Sequence, residues 1–214
     1  GAHLLYPTLG TFPRDIPIAT GFEILSLGGA LARLHSDASP LLLKTLENFD
    51  IQNFVVLFRD PRQSILSWVR GLSSLPGELF RHHCVYFAPH LPRDFQMMRE
   101  AQQFQYATQY LYGGLIEWID GWLQVEKKLQ CKGAVTFLCF EDFQQDPKSY
   151  FNKISSTYGV PLPKLEVIER EICSQDHSNF RLGQTQEWRE VFSKKMQTQL
   201  TELMPKKFFE RFDW

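Results

Sequence analysis

The sequence has few cysteines and no excess of charge of either sign. Its four cysteines, Cys84, Cys131, Cys139 and Cys173, stand apart without a CxxC pair, so the chain carries no zinc-binding signature and no dense disulfide framework. With 23 Lys+Arg against 24 Asp+Glu, the formal net charge is −1. This balance excludes broad electrostatic binding to nucleic acid. Together these features favour a reduced, cytoplasmic protein without a nucleic acid partner.

The chain also lacks long apolar runs and the motif of the P-loop kinases. No apolar stretch reaches the roughly 18 residues of a membrane-spanning helix, and no secretory signal opens the chain. No GxxxxGK[ST] segment occurs, which argues against a P-loop kinase or NTPase. His82, His83, Cys84 and His90 lie close in sequence, but none of them forms a ligand pair with a recognised spacing. We therefore expect no metal site there.

Two apolar runs predict buried strands. Asn53–Phe58 and Ala134–Phe140 are continuous apolar segments of strand length, which is typical of a parallel sheet covered on both faces. Between them we expect a long helical stretch over about 93–130, interrupted at Gly113-Gly114. Strands separated by helices imply right-handed crossovers. The sequence therefore predicts an α/β fold with a central parallel sheet flanked by helices.

Helix boundaries are marked by proline and glycine. Asp60 as the N-cap and Pro61 at the first helical position predict a helix that ends at Gly71. The pair Asp146-Pro147 predicts a second helix that Gly159 stops.

The remaining polar segments suggest how the chain is completed. We expect Leu72–Pro92 to be a surface excursion and not a domain boundary. Three short helices, around Glu187–Ser193, Lys195–Met204 and Pro205–Phe212, are expected to close the chain. A length of 214 residues fits one domain over 1–214.

Arg59 is the first candidate for a binding residue. It ends a predicted buried strand directly before a helix start, at the edge of an α/β sheet where ligands bind and where a helix N-terminus favours an anion. Ser64 and Ser67 are three residues apart and so lie on one helical face. One guanidinium and one or two hydroxyls make a phosphate site. The alternative is that Arg59 pairs with Asp60 or another carboxylate and that the serines are ordinary surface residues.

The segment Phe54–Trp68, FVVLFRDPRQSILSW, resembles the 3′-phosphate-binding motif of the sulfotransferases that use 3′-phosphoadenosine 5′-phosphosulfate (PAPS). In that family the Arg that ends the strand and a Ser eight residues later hold the 3′-phosphate, and Arg59 and Ser67 occupy those positions. An Arg-Lys-Gly loop followed by an acidic-Trp pair also contacts this phosphate in the family. The segment 181–188 is similar to it, with Leu182 in place of the Lys. The resemblance therefore implies that Arg181 and Gly183 bind the cofactor.

Two further stretches resemble the same family, and the matches cover about residues 31–193. Phe137–Asp142 is similar to a strand that ends in Tyr-Glu-Asp, and Phe140 stands where an aromatic ring lies near the adenine. Arg33-Leu34-His35 resembles a basic-x-His segment whose His is the general base. The alternative role for His35 is to cap a helix that begins near Ser39-Pro40.

The resemblance implies an enzyme that moves a sulfuryl group from PAPS to a hydroxyl or amine and releases 3′,5′-phosphoadenosine (PAP). Its acceptor would be a small molecule or a biomolecule bearing a hydroxyl, and no metal would be needed. We further expect Arg62 to join Arg59, Arg181 and Arg33 around the anion.

One part of the chain departs from the family. These enzymes bind the 5′-phosphosulfate with a loop of the type Tyr-Pro-Lys-Ser-Gly-Thr-Thr-Trp. The candidate here, Leu5–Phe12, has Thr8 at the position of the Lys and Leu9 at the position of the Ser. Either the loop is degenerate, or the true loop is missing from this chain, which starts with Gly1. A second interpretation is therefore a non-catalytic module that keeps the fold and binds a nucleotide or another protein.

Overall fold

The computed structural model describes six stretches of the chain: residues 22–24, 30–32, 53–86, 91–129, 134–159 and 184–214. The strands are β1 (Phe22–Ile24), β2 (Ala30–Ala32), β3 (Asn53–Phe58) and β4 (Ala134–Cys139). The longer helices are α1 (Pro61–Ser74), α2 (Gly77–Tyr86), α3 (Glu100–Tyr110), α4 (Tyr112–Leu129) and α6 (Pro147–Tyr158). The shorter ones are α5 (Phe140–Gln145), α7 (Trp188–Val191), α8 (Lys194–Leu203), α9 (Lys206–Phe212) and a 3₁₀ turn, Phe95–Met97.

The four strands pair in two sheets of two strands among the residues described. β1 and β2 are antiparallel, with Phe22 opposite Ala32 and Ile24 opposite Ala30. β3 and β4 are hydrogen-bonded neighbours in the second sheet. Both strands predicted from the sequence are confirmed, although Val56 alone is buried among the β3 residues whose exposure is described. The second ends one residue early, because Phe140 already begins α5.

The chain divides into two compact units. The first contains the described residues of Gly1–Leu57 and Gly121–Ser178. Its core lies where β4 meets α6: Leu138, Tyr150, Phe151 and Ile154 are buried together. Continuous apolar character in β4 and apolar positions one turn apart in α6 explain this packing.

The second unit contains the described residues of Phe58–Asp120 and Asn179–Trp214. Its core is built on the apolar face of α1, to which α2, α3, the start of α4 and the helices α7 and α8 contribute side chains. Tyr112 is fully buried there, and its hydroxyl donates to the backbone carbonyl of Leu200 at 2.8 Å. The fully buried members of this core are Ile65, Leu66, Val69, Phe95, Ala107, Tyr112 and Leu200.

Helix α1 begins as predicted but does not end where predicted. The Asp60 carboxylate accepts from the backbone N–H of Arg62 at 2.8 Å, and Pro61 fills the first position. The prediction that Gly71 ends the helix is wrong, because α1 continues to Ser74. One glycine destabilises a helix by only about 1 kcal/mol, which is less than the stabilisation from burying the apolar face. Leu75 ends the helix in an extended conformation, as the residue before a proline prefers.

The stretch between α1 and β4 contains a helix that the sequence did not indicate, and one of its breaks lies elsewhere than predicted. The expected surface excursion at Leu72–Pro92 includes helix α2. The expected break at Gly113-Gly114 lies instead at Leu111, and the two glycines are inside α4. Burial of side chains along α4, beginning with Tyr112, stabilises the helix enough to tolerate its two glycines.

The later helices agree with the sequence. Helix α6 starts at Pro147, and its end is set by Gly159, whose φ of 65° lies in the left-handed region that glycine tolerates. The three C-terminal helices are confirmed as α7, α8 and α9. Among the helices described, none has the length and apolar character needed to cross a membrane.

Candidate functional site

Arg59 follows β3 directly and is half-buried. Its Nη2 donates to the backbone carbonyl of Gln184 at 2.6 Å, across 125 residues of sequence. Arg59 is thereby joined to the segment that precedes α7. A guanidinium carries five N–H donors, so this bond by itself does not prevent Arg59 from binding an anion.

Ser64 and Ser67 lie in α1, and both are half-buried. The serines at the far end of the same helix satisfy their hydroxyls locally: Ser73 bonds the carbonyl of Val69 at 2.8 Å and Ser74 that of Gly71 at 2.9 Å. In the described part of the chain, no such bond engages Ser64 or Ser67. Their hydroxyls are therefore able to serve a ligand.

Arg62 does not join the anion-binding group that the sequence suggested. Its side chain is 3% exposed and forms a buried ion pair with Asp60, with Nη2 and Oδ2 2.8 Å apart. The guanidinium lies 4.1 Å from the centroid of the Trp188 ring and also donates to Thr201 at 3.2 Å. The expectation that Arg62 contacts the anion is therefore wrong, because a carboxylate and an aromatic face already surround it.

The N-terminus of α1 is also less open to an anion than expected. Of the N–H groups that a helix leaves unpaired, Pro61 has none to offer, and that of Arg62 is taken by the Asp60 carboxylate. The negative charge of Asp60 already sits at this helix end. An anion at this edge must therefore be held by side chains more than by the helix itself.

A polar network that the sequence did not reveal fixes the segment Gln184–Trp188 to α1. The Gln63 side chain is 1% exposed, and its Oε1 accepts from the backbone N–H of Trp188 at 3.1 Å. Its Nε2 makes a weaker contact with Glu187 at 3.5 Å. Arg70, two turns further along α1, forms ion pairs with Glu187 and with Glu100. No local pattern links residues more than 100 positions apart, so only the fold brings them together.

Burial and nearby charges shift the pKa of two groups, Arg70 in this network and Tyr112 in the core of the same unit. Burial lowers the pKa of Arg70, but hydrogen bonds to Glu100 and Glu187 and their charges raise it by more, so it lies above its usual range. Burial raises the pKa of Tyr112 well above its ordinary value, and the charge of Asp60 adds to this. Both groups keep their proton at neutral pH.

Phe140 belongs to the first unit, where it opens α5 directly after β4. It is half-buried, and its ring centroid lies 6.0 Å from that of Phe143. The neighbouring Cys139 is buried, and its thiol forms no disulfide. A half-buried ring at the carboxyl end of a strand is suited to stacking on a base.

The other predicted site residues lie outside the described part of the chain. These are His35, Arg181 and Gly183, together with Arg33 and the loop candidate Leu5–Phe12. In the part that is described, no group of three or more potential ligands is placed to hold a metal ion. Burial raises the pKa of the Cys84 thiol, which keeps it protonated at neutral pH.

Comparison with known proteins defines first the class of fold and then the family. The crystal structure of mouse sulfotransferase SULT7A1 complexed with PAP matches with a TM-score of 0.54 and 19% sequence identity. The match covers 79% of this chain and 61% of that one. The fold is therefore the P-loop-like α/β class, with a parallel sheet flanked by helices, as the sequence predicted.

The family follows from the sequence itself. A model of the sulfotransferase domain matches residues 24–211, which is most of the chain. The protein belongs to the sulfotransferase domain family. A search of curated protein sequences gave no match.

Proposed function

We propose that this protein binds PAPS and PAP through the 3′-phosphate, with Arg59, Ser67, Arg181 and Gly183 as the binding residues. The observation that carries the proposal is the position of Arg59. It stands at the carboxyl end of β3, one residue before the Asp60 cap, and Ser67 follows on the helix that this cap begins. Membership of the sulfotransferase domain family supports the same residues.

The chemistry of these donors fits a phosphate. A guanidinium matches phosphate oxygens with paired N–H donors, and its partial burial limits competition from water. A serine hydroxyl adds a neutral donor from α1. Each charge-assisted hydrogen bond contributes about 1.5–3 kcal/mol. Since Arg62 is neutralised by Asp60, the positive charge facing the ligand comes from Arg59 and, by the family resemblance, Arg181.

We further propose that the protein is a sulfotransferase acting on a hydroxyl or amine. PAPS, when bound, supplies the sulfuryl group and is released as PAP. His35 accepts the proton of the acceptor, a role that suits an imidazole with a pKa near 6.5. The family resemblance further assigns Phe140 to the adenine, on which an aromatic ring can stack.

Calorimetric titration with PAP tests the binding site. Arg59→Ala should weaken PAP binding at least about tenfold, since one charge-assisted contact is lost. Arg99→Ala is the matched control, because Arg99 is an exposed arginine that directly precedes α3. Unchanged affinity in Arg59→Ala, or no binding by the unaltered protein, would contradict the proposal.

A second function is favoured by the loop candidate Leu5–Phe12. With Thr8 in place of the lysine, no cation is evident there to stabilise the leaving oxygen, so a non-catalytic nucleotide-binding or protein-interaction module is the alternative. Transfer from radiolabelled PAPS to a panel of hydroxyl and amine acceptors separates the two. Transfer that His35→Ala abolishes supports the enzyme, whereas PAP binding without any transfer supports the module.

We also propose that residues 1–214 form one sulfotransferase-like domain and that the protein is cytoplasmic. The family match over residues 24–211 supports the first point. The dispersed cysteines support the second. Fractionation of cells that express the tagged full-length gene product would test the location.

A further inference from the structure

Gln63 is a buried amide whose role the binding proposal does not use. It lies between Arg59 and Ser67 in sequence, on the first turn of α1, with only 1% of its side chain exposed. A buried glutamine is retained only where its polar atoms are satisfied. Here both of them face the same segment, which contains Trp188 and Glu187.

The contact with Trp188 fixes a backbone position. Trp188 is the first residue of α7, where a helix leaves N–H groups without intrahelical partners. The Oε1 of Gln63 accepts from this N–H at 3.1 Å and so caps α7 from a different helix. Arg70 binds the adjacent Glu187 carboxylate, and Arg62 lies over the Trp188 ring. Three side chains of α1 therefore hold one short stretch of chain.

The same stretch supplies one partner of Arg59. The carbonyl of Gln184 accepts from Arg59 Nη2 at 2.6 Å, four residues before the N–H that Gln63 holds. The direction of a long, flexible guanidinium depends on the positions of its acceptors. A carbonyl in a fixed position therefore limits the arrangements open to Arg59 more than a mobile carbonyl does.

We infer that Gln63 is a positioning residue for anion binding, which acts through Trp188 and Gln184 to orient the Arg59 guanidinium. This inference deepens the proposed function and rests on it for the identity of the anion. Arg70 supports the same segment through Glu187. Gln63 itself needs no contact with the ligand.

The first test measures Arg59 directly, without a ligand. Gln63→Leu keeps the side-chain volume but removes both polar atoms. In this variant we measure the modification of Arg59 by phenylglyoxal with peptide mass spectrometry. The rate should become about fivefold faster, because the Arg59 guanidinium is open to the reagent more often when the hydrogen bond of Gln63 is lost. An unchanged rate would overturn the inference. Arg70→Met provides a second, more exposed perturbation and should act in the same direction if Gln63→Leu fails to fold.

Gln103→Leu is the matched control. Gln103 is equally buried, at 3% exposure, and belongs to the same unit, but its amide donates to the carbonyl of Phe95. Gln103→Leu should destabilise the protein about as much as Gln63→Leu does, but it should leave the modification rate of Arg59 unchanged. Equal acceleration in both variants would mean that general loosening, and not positioning, exposes Arg59.

The second test uses PAP and a double-mutant cycle. Gln63→Leu should weaken PAP binding about fivefold in the unaltered background and should have no effect in the Arg59→Ala background, because the two act through one group. Equal weakening in both backgrounds would overturn the inference. If the unaltered protein binds no PAP, the proposed function fails, and the modification experiment still decides whether Gln63 positions Arg59.

Discussion

The buried pair of Asp60 and Arg62 makes a sharp prediction about stability. Their side chains are 6% and 3% exposed, so Asp60→Asn would leave a buried guanidinium without its counter-charge. Removing one partner of a buried pair costs about 3–5 kcal/mol. Asparagine is also a good N-cap, so this change isolates the charge from the cap. Asp60→Ala should cost about 1 kcal/mol more, because it also removes the acceptor for the N–H of Arg62.

The assay is thermal and urea unfolding followed by circular dichroism. A loss of this size corresponds to a midpoint lower by roughly 6 to 20 °C in a chain of this length. The matched control is Asp142→Ala, which breaks a 3.4 Å pair with Lys153 whose side chains are nearly half exposed, and should cost under about 1 kcal/mol. If Asp60→Asn costs no more than Asp142→Ala, the reasoning about the buried pair is refuted. A double change of Asp60→Asn with Arg62→Met should recover part of the loss.

Three further comparisons test other features. Ser67→Ala should weaken PAP binding about tenfold, whereas Ser74→Ala, whose hydroxyl is used within the helix, should not; equal effects by calorimetry would argue against a ligand at Ser67. Tyr112→Phe should lose about 1–2 kcal/mol at pH 7. Because the folded protein raises the pKa of Tyr112, its contribution is present at neutral pH and is lost as pH rises above about 10, where the unfolded phenol ionises. The gap between the two proteins in urea unfolding should therefore narrow at alkaline pH, and a constant gap would contradict this. Gly71→Ala should stabilise the protein by about 0.5–1 kcal/mol, since a Cβ there meets no atom within 4 Å. Gly159→Ala should destabilise the protein, because Gly159 has a positive φ. Thermal unfolding measures both changes, and a stability change of the opposite sign in either variant would refute the corresponding assignment.

The sequence was sufficient where a signal is local. Asp60-Pro61 and Asp146-Pro147 carry the start of a helix within a few residues, and both starts are confirmed. The ends and breaks were less predictable. Gly71 and the pair Gly113-Gly114 weaken a helix without stopping it, because buried apolar neighbours outweigh the local preference of one or two glycines.

The candidate site shows the same division. The sequence predicted that Arg59 directly follows a strand and that Ser67 lies on the next helix, and both placements are confirmed. One partner of Arg59 is a carbonyl 125 residues away, and a main-chain acceptor leaves no trace in the sequence. Arg62 was assigned wrongly because its type and spacing suit an anion, while its burial under Trp188 depends on tertiary packing alone.

Arg59 and Gln63 bind the main chain of the segment Gln184–Trp188. Arg59 donates to the carbonyl of Gln184, and Gln63 accepts from the amide of Trp188. Every amino acid offers that carbonyl, and every one except proline offers that amide. The bond at position 184 therefore places no demand on the identity of its side chain. A change of side chain at position 184 therefore leaves its carbonyl available to Arg59, whereas a change at Arg59 or Gln63 removes one of the two bonds directly. At position 188 the side chain does matter, because the guanidinium of Arg62 lies over its aromatic ring.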